Sequence, residues 1–290
     1  MKCFSKISVF SYVIFLLFIV AGFNCSPKEK DHKLGEYNLS KSSKRYELQK
    51  ELNEISDLTV AENDRIFALN DEHGIIYELD KMDGSIIKSF YFGSKSLRGD
   101  FEGLTLVDNT FYAVTGNGLL YSFEEGANKN VMQAKKYKTG LTSTNDVEGL
   151  CYDPYTKKLL LACKNYPGIG LKQSRAIYSF DLKEERLSRE PAFVVNLSEL
   201  KSKFNVYDFS PSAIEYQRDS DSFFILSSHE KSIIQMLRTG EIIDFAHLVS
   251  RNHRQPEGLS FLNDGTIIIS DEASKKKATL SYFNKLLNQN

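Results

Sequence analysis

From about residue 45 to residue 283 the chain alternates short apolar runs with clusters of Asn, Asp and Gly. Runs of that length, punctuated by turn residues, predict strands and hairpins in place of helices. The clearest case spans residues 256–273. Pro256-Glu257-Gly258-Leu259 opens an apolar run, Asn263-Asp264-Gly265 supplies the turn, and Thr266-Ile267-Ile268-Ile269-Ser270 returns. Asn, Asp and Gly tolerate the positive φ that such turns need. The opening phrase recurs as Phe101-Glu102-Gly103-Leu104 and Val147-Glu148-Gly149-Leu150, and in weaker form as Ile55-Ser56-Asp57-Leu58 and Pro211-Ser212-Ala213-Ile214. The copies lie roughly 45 residues apart, the length of a four-stranded propeller blade.

The first unit reads as strands at 56–60, 65–69, 74–80 and 85–92, and the next three follow the same plan. The third interval is longer by roughly 18 residues, too few for four more strands. Its surplus falls in the loop 164–175 and in 197–208, where one helical turn starts from Ser198. The last unit has only three strands, while residues 45–52 form a strand without a unit. Propellers close by pairing the two chain ends in one blade, which removes exposed sheet edges. The prediction is an all-β, five-bladed β-propeller over residues 45–290, with a six-bladed ring as the alternative.

The first strand of each blade lines the central channel. Ser56, Glu102, Glu148, Ser212 and Glu257 are therefore predicted at one depth around the axis. Symmetric pairing about each hairpin turn sets Asp71, Thr115, Asn165, Ser227 and Asp271 opposite them. Converging carboxylates raise one another's pKa unless something neutralises them. A hard divalent cation does so, and calcium accepts carboxylate, amide and water oxygens in irregular numbers. The lack of a His or Cys cluster argues against zinc or copper. Glu102, Glu148 and Glu257 are thus candidate calcium ligands. The alternative is that each Glu bonds the backbone of the next blade and only fastens the ring.

Composition narrows the function classes. The chain is 41% hydrophobic and 26% charged, enough apolar residue for a real core. A net charge of −1 gives no electrostatic case for nucleic acid. The absence of Trp weakens carbohydrate stacking, although fifteen Tyr partly substitute. Residues 1–24 read as a signal peptide, with Lys2 and Lys6 before an apolar run too short for a membrane span. Cys25 follows, in an arrangement that resembles a bacterial lipoprotein signal. Residues 25–44 read as a disordered tether. The expectation is a lipoprotein of a bacterial cell envelope, held to a membrane by lipid on Cys25 and facing periplasm or exterior. Its partner would be a protein or a small-molecule ligand that the sequence does not name.

Cys151 and Cys163 flank one hairpin turn and read as two buried thiols, with a cross-strand disulfide as the strained alternative. His73, His229 and His253 lie in loops near repeat boundaries. They are either solvated or general bases of a metal-dependent hydrolase acting on an ester, lactone or phosphoester. No Gly-x-Ser-x-Gly, phosphate-cradling loop or His-Glu-x-x-His occurs.

The Glu-Gly-Leu phrases at 102, 148 and 257 and their Ser counterparts at 56 and 212 resemble the SdiA-regulated domain family. So does Ile75-Ile76-Tyr77-Glu78-Leu79-Asp80 with its Asp83-Gly84 turn. This family is distantly similar to NHL-repeat propellers. The resemblance implies a five-bladed propeller, calcium at a shared site, export to the envelope and no established activity. Together these readings suggest an envelope-anchored, calcium-binding scaffold, with the hydrolase as alternative.

Overall fold

A computed structural model describes residues 31–286. Residues 1–30, which include the expected signal peptide and Cys25, lie outside the described residues. Five antiparallel blades follow in chain order. Their inner strands are Ile55–Ala61, Phe101–Val107, Val147–Asp153, Ala213–Gln217 and Pro256–Phe261. Blade five takes its fourth strand from Lys44–Glu47, which pairs with Thr279–Phe283, so the ring closes with both chain ends in one sheet. Five blades, not six, complete the circle.

Each of the five hydrophobic clusters straddles two neighbouring blades. Phe223 packs with blade three through Ile177 and Leu160, whereas Phe224 beside it packs with Leu259 and Ile267 of blade five. A sheet buried on both faces needs apolar residues at successive positions. This is why Ser222–Ser227 and Lys158–Cys163 read as continuous apolar runs. Between blades one and two the filling is aromatic, with Phe92 stacked on Phe123 at 4.1 Å.

The long third interval holds a helix, Leu197–Phe204, longer than the single turn expected. Asn196 caps it by accepting from Ser198 N at 2.8 Å. The stretch expected to give the fourth strand of blade two is divided. Val131–Met132 adds in parallel to blade one, and Ala134–Lys138 completes blade two.

The stretch expected to be a tether differs from that expectation from residue 31 onward. Lys33–Leu34 and Tyr37–Asn38 form a small hairpin over the junction of blades four and five. Leu34, Tyr37 and Leu39 are buried against Phe224, Ile267 and Phe283, and Tyr37 Oη donates to the Gly265 carbonyl at 2.7 Å. Three apolar side chains close together seat this segment. Its polar average composition hides them.

Candidate functional site

The Glu-Gly phrase has a backbone cause. In four inner strands the ladder skips one residue: Ile55 pairs Asn70 and Asp57 pairs Leu69, with the same slip at Phe101/Gly103, Val147/Gly149 and Pro256/Gly258. The skipped residues are Ser56, Glu102, Glu148 and Glu257. A β-bulge unpairs its residue and bends the strand, which re-aims the side chain. The following glycine serves the neighbouring blade. A β-carbon on Gly103 would lie 2.7 Å from Leu150 Cβ, and one on Gly149 would lie 2.9 Å from Ile214 N. Inner strands approach this closely only without a side chain there.

Three positions per blade share one end of the channel. The residues entering the inner strands are Glu54, Asp100, Asp146, Ser210 and Gln255. The bulge residues are Ser56, Glu102, Glu148 and Glu257, with Ser212 at the equivalent, unbulged position of blade four. The residues leaving the second strands are Asp71, Gly116, Lys164, Ser228 and Glu272. Blades one, two, three and five each contribute two acids, and blade four contributes hydroxyls instead. Lys164 is the only basic residue in these three rings.

The acids form one electrostatic network. Burial pushes Glu102 far above the ordinary carboxyl range, and the charges of Glu148, Asp100 and Asp71 push it further. Glu257 is raised to about 7 by burial and by Glu148, against the pull of Ser228, Lys164 and Lys231. Asp71 rises to about 6 through burial and then Asp100, Glu54 and Glu72. Glu272 is raised by burial, a hydrogen bond with Glu54 and the nearby charge of Glu257. Carboxylate oxygens of Glu54, Asp71 and Glu272 lie within 4.8 Å of one another.

The sequence-predicted ligands are thus brought to one mouth, but with different neighbours. Glu148 Oε1 accepts from Lys164 Nζ at 2.9 Å, and Glu257 Oε1 accepts from Ser228 Oγ at 3.0 Å. Ser212 Oγ donates to the Pro256 carbonyl at 3.1 Å, and buried Ser56 Oγ has no partner. Symmetric pairing missed Lys164 because the bulge shifts the register. It placed Asn165 opposite Glu148, whereas Cys163 pairs Val147 and Lys164 follows. Glu54 and Glu272 were missed because their signal, an acid flanking the repeat on both sides, lies outside the repeated phrase.

The remaining candidates stay apart from the rings' chemistry. Cys151 and Cys163 are free buried thiols, and burial pushes Cys163 up to about 12. His229 is exposed beside Glu230 at 2.7 Å, His73 lies 3.2 Å from Asn70 Oδ1, and His253 is buried 2.9 Å from Asp271.

The channel's opposite end opens into a cavity of about 670 Å³ bounded by the far ends of the inner strands and their hairpin turns. Glu215, raised to about 7 by burial, accepts there from Ser260 Oγ at 3.1 Å.

A family model described as SdiA-regulated matches residues 36–276. No curated protein sequence matches the chain. Among solved structures, the glutaminyl cyclase of Myxococcus xanthus is 12% identical, covers 84% of this chain and 95% of its own, and has a TM-score of 0.59. A luciferin-regenerating enzyme is 9% identical over 83% of this chain and 95% of its own, with a TM-score of 0.52. The PQQ-bound aldose sugar dehydrogenase of Streptomyces coelicolor is 10% identical over 84% and 97%, with a TM-score of 0.52. At such identities the likeness is one of fold.

Proposed function

The chain belongs to the SdiA-regulated family, and within it we propose that this protein is an envelope-attached binding module whose acidic channel mouth holds calcium. The observation that carries the reading is the meeting of acids from four blades around a single lysine. Partly buried carboxyls that raise one another's proton affinity lack a counter-charge, and a divalent cation supplies one. The donor set suits calcium: carboxylate oxygens in irregular number, the unpartnered Ser56 Oγ, and no thiol or imidazole. Glu54, Asp71 and Glu272 would supply one side of such a site, and Glu102 and Glu257 the other. Glu148 is already engaged by Lys164.

Attachment through lipid on Cys25 and residence in a bacterial envelope belong to the same proposal. A closed ring of five sheets is a rigid platform, and its loops are free to recognise a protein or a small molecule. A hydrolase would ask for a histidine beside the ion. His73 is engaged with Asn70 Oδ1 at 3.2 Å, His229 is turned to solvent and His253 is buried on Asp271, which favours the binding role.

Thermal unfolding of the purified protein, first in chelator and then through a calcium titration, tests the site. Calcium should raise the melting temperature saturably. Glu102→Gln, Glu148→Gln and Glu257→Gln together should remove the rise, and so should Glu54→Gln with Glu272→Gln. An unmoved wild-type melting curve sinks the calcium reading.

A further inference from the structure

A second cavity, of about 330 Å³, lies outside the channel against blade five. The closing strand, the loop at 251–254 and the loop at 274–277 bound it. These segments bring together Arg45, Arg251, Arg254, Lys276 and Lys277, in a chain whose net charge is only −1. Arg45 is tied by donating to the Asn252 carbonyl and to Thr279 Oγ1, and Lys277 pairs with Glu47 at 3.2 Å. Arg251, Arg254 and Lys276 have no ion pair among the described residues.

Asp271, 3% exposed, also lines this cavity. Its Oδ2 lies 2.9 Å from His253 Nδ1 and accepts from Thr279 Oγ1 at 3.4 Å. Its Oδ1 is buried without any hydrogen-bond partner. A buried carboxylate oxygen left without a donor is costly, so such an atom marks where a donor belongs. Of the two other acids here, Glu47 is paired with Lys277, and Glu272 accepts from Gln255 Nε2 at 2.7 Å.

We propose that this cavity binds inorganic phosphate or a phosphate monoester, with Arg251 and Arg254 on its charged oxygens and Asp271 Oδ1 accepting from its P–OH group. The guanidinium fork suits tetrahedral oxyanions. The carboxylate supplies the selectivity. Sulfate has the same shape but carries no proton at neutral pH, so it would set a bare oxygen against Asp271. A phosphodiester headgroup lacks the hydroxyl for the same reason. The site does not depend on calcium at the channel mouth and meets that region only at Glu272.

Calorimetry of the full chain in chelator, at matched ionic strength, tests this with inorganic phosphate and sulfate. Phosphate should bind at least about tenfold more tightly than sulfate, as expected where a site hydrogen-bonds a group its analogue lacks. Arg251→Gln with Arg254→Gln should lose phosphate binding and keep the unliganded melting temperature, because both side chains are exposed. Asp271→Asn should bring sulfate up towards phosphate. Competition by glycerol phosphate would place the ligand in solution; recruitment to phosphatidate vesicles, but not to phosphatidylglycerol ones, would place it on a lipid. Equal affinity for the two anions in the wild-type protein, or no phosphate binding, overturns the proposal.

Discussion

Asp57 and Glu102 stand on adjacent inner strands, one step apart in the repeat, and their carboxyls have opposite surroundings. Asp57 occupies the position of the clearance glycines, and its oxygens accept from Leu58 N at 2.8 Å and Leu104 N at 2.7 Å. It joins blade one to blade two. Glu102 stands on the bulge and faces Glu148, Asp100 and Asp71. The two alternatives posed by the sequence, fastening the ring and serving as a site, are therefore both present, at successive positions. Backbone amides are within reach just inside the bulge, whereas the bulge turns its side chain toward other acids.

The largest expected effect breaks the fastener. Asp57→Ala strips the acceptor from two buried amides and should cost about 2–4 kcal/mol in urea unfolding. Asp57→Asn keeps one of the two acceptor oxygens but sets its NH2 group against the other amide, so it should lose about half as much as the alanine variant. Equal losses in the two variants would end the distinction drawn here.

A smaller effect sharpens the other half. Glu257 and Asp71 hold their protons more tightly when folded, at about 7 and about 6, than the ordinary 4.5 and 3.8 of an unfolded chain. In chelator, the stability these two carboxyls contribute should thus be greatest in acid, below the unfolded values. It should fall as pH rises through the window up to about 7, and Glu272, raised to about 8, and Glu102, raised further, should extend the fall beyond it. Glu257 alone should account for on the order of 3 kcal/mol of that fall. Glu257→Gln should flatten the part up to about 7, and calcium should reverse the fall in the wild-type protein.

The smallest effect belongs to Lys164. Lys164→Gln leaves Glu148 without its cation and should lower stability at neutral pH by roughly 0.5–1 kcal/mol. It should also tighten calcium binding, since one positive charge leaves the mouth. Titration of the variant beside wild type checks both signs.

Much of this was legible along the chain, because a recurring phrase made of strand and turn residues fixes blade number, ring closure and the depth of Glu102, Glu148 and Glu257. What escaped has a common cause. A bulge adds a residue to one side of a hairpin, so counting outward from the turn set Glu257 against Asp271, where the ladder pairs Pro256. The same slip hid Lys164. Asp57 looked like a weak copy of glycine, since its partners are amides of another blade that no local pattern reveals. Leu34, Tyr37 and Leu39 escaped for a different reason: their docking surface is assembled from residues about two hundred positions away.

The hairpin those three residues anchor has a mechanical consequence. A pull applied at residue 31 meets side chains wedged over the seam of blades four and five before it reaches Lys44–Glu47, the strand that zips the circle shut. The wedge works as strain relief, as a knot behind a cable gland spares the solder joint. Were the chain held upstream of residue 31, the disc could be tugged without its last blade being peeled open first.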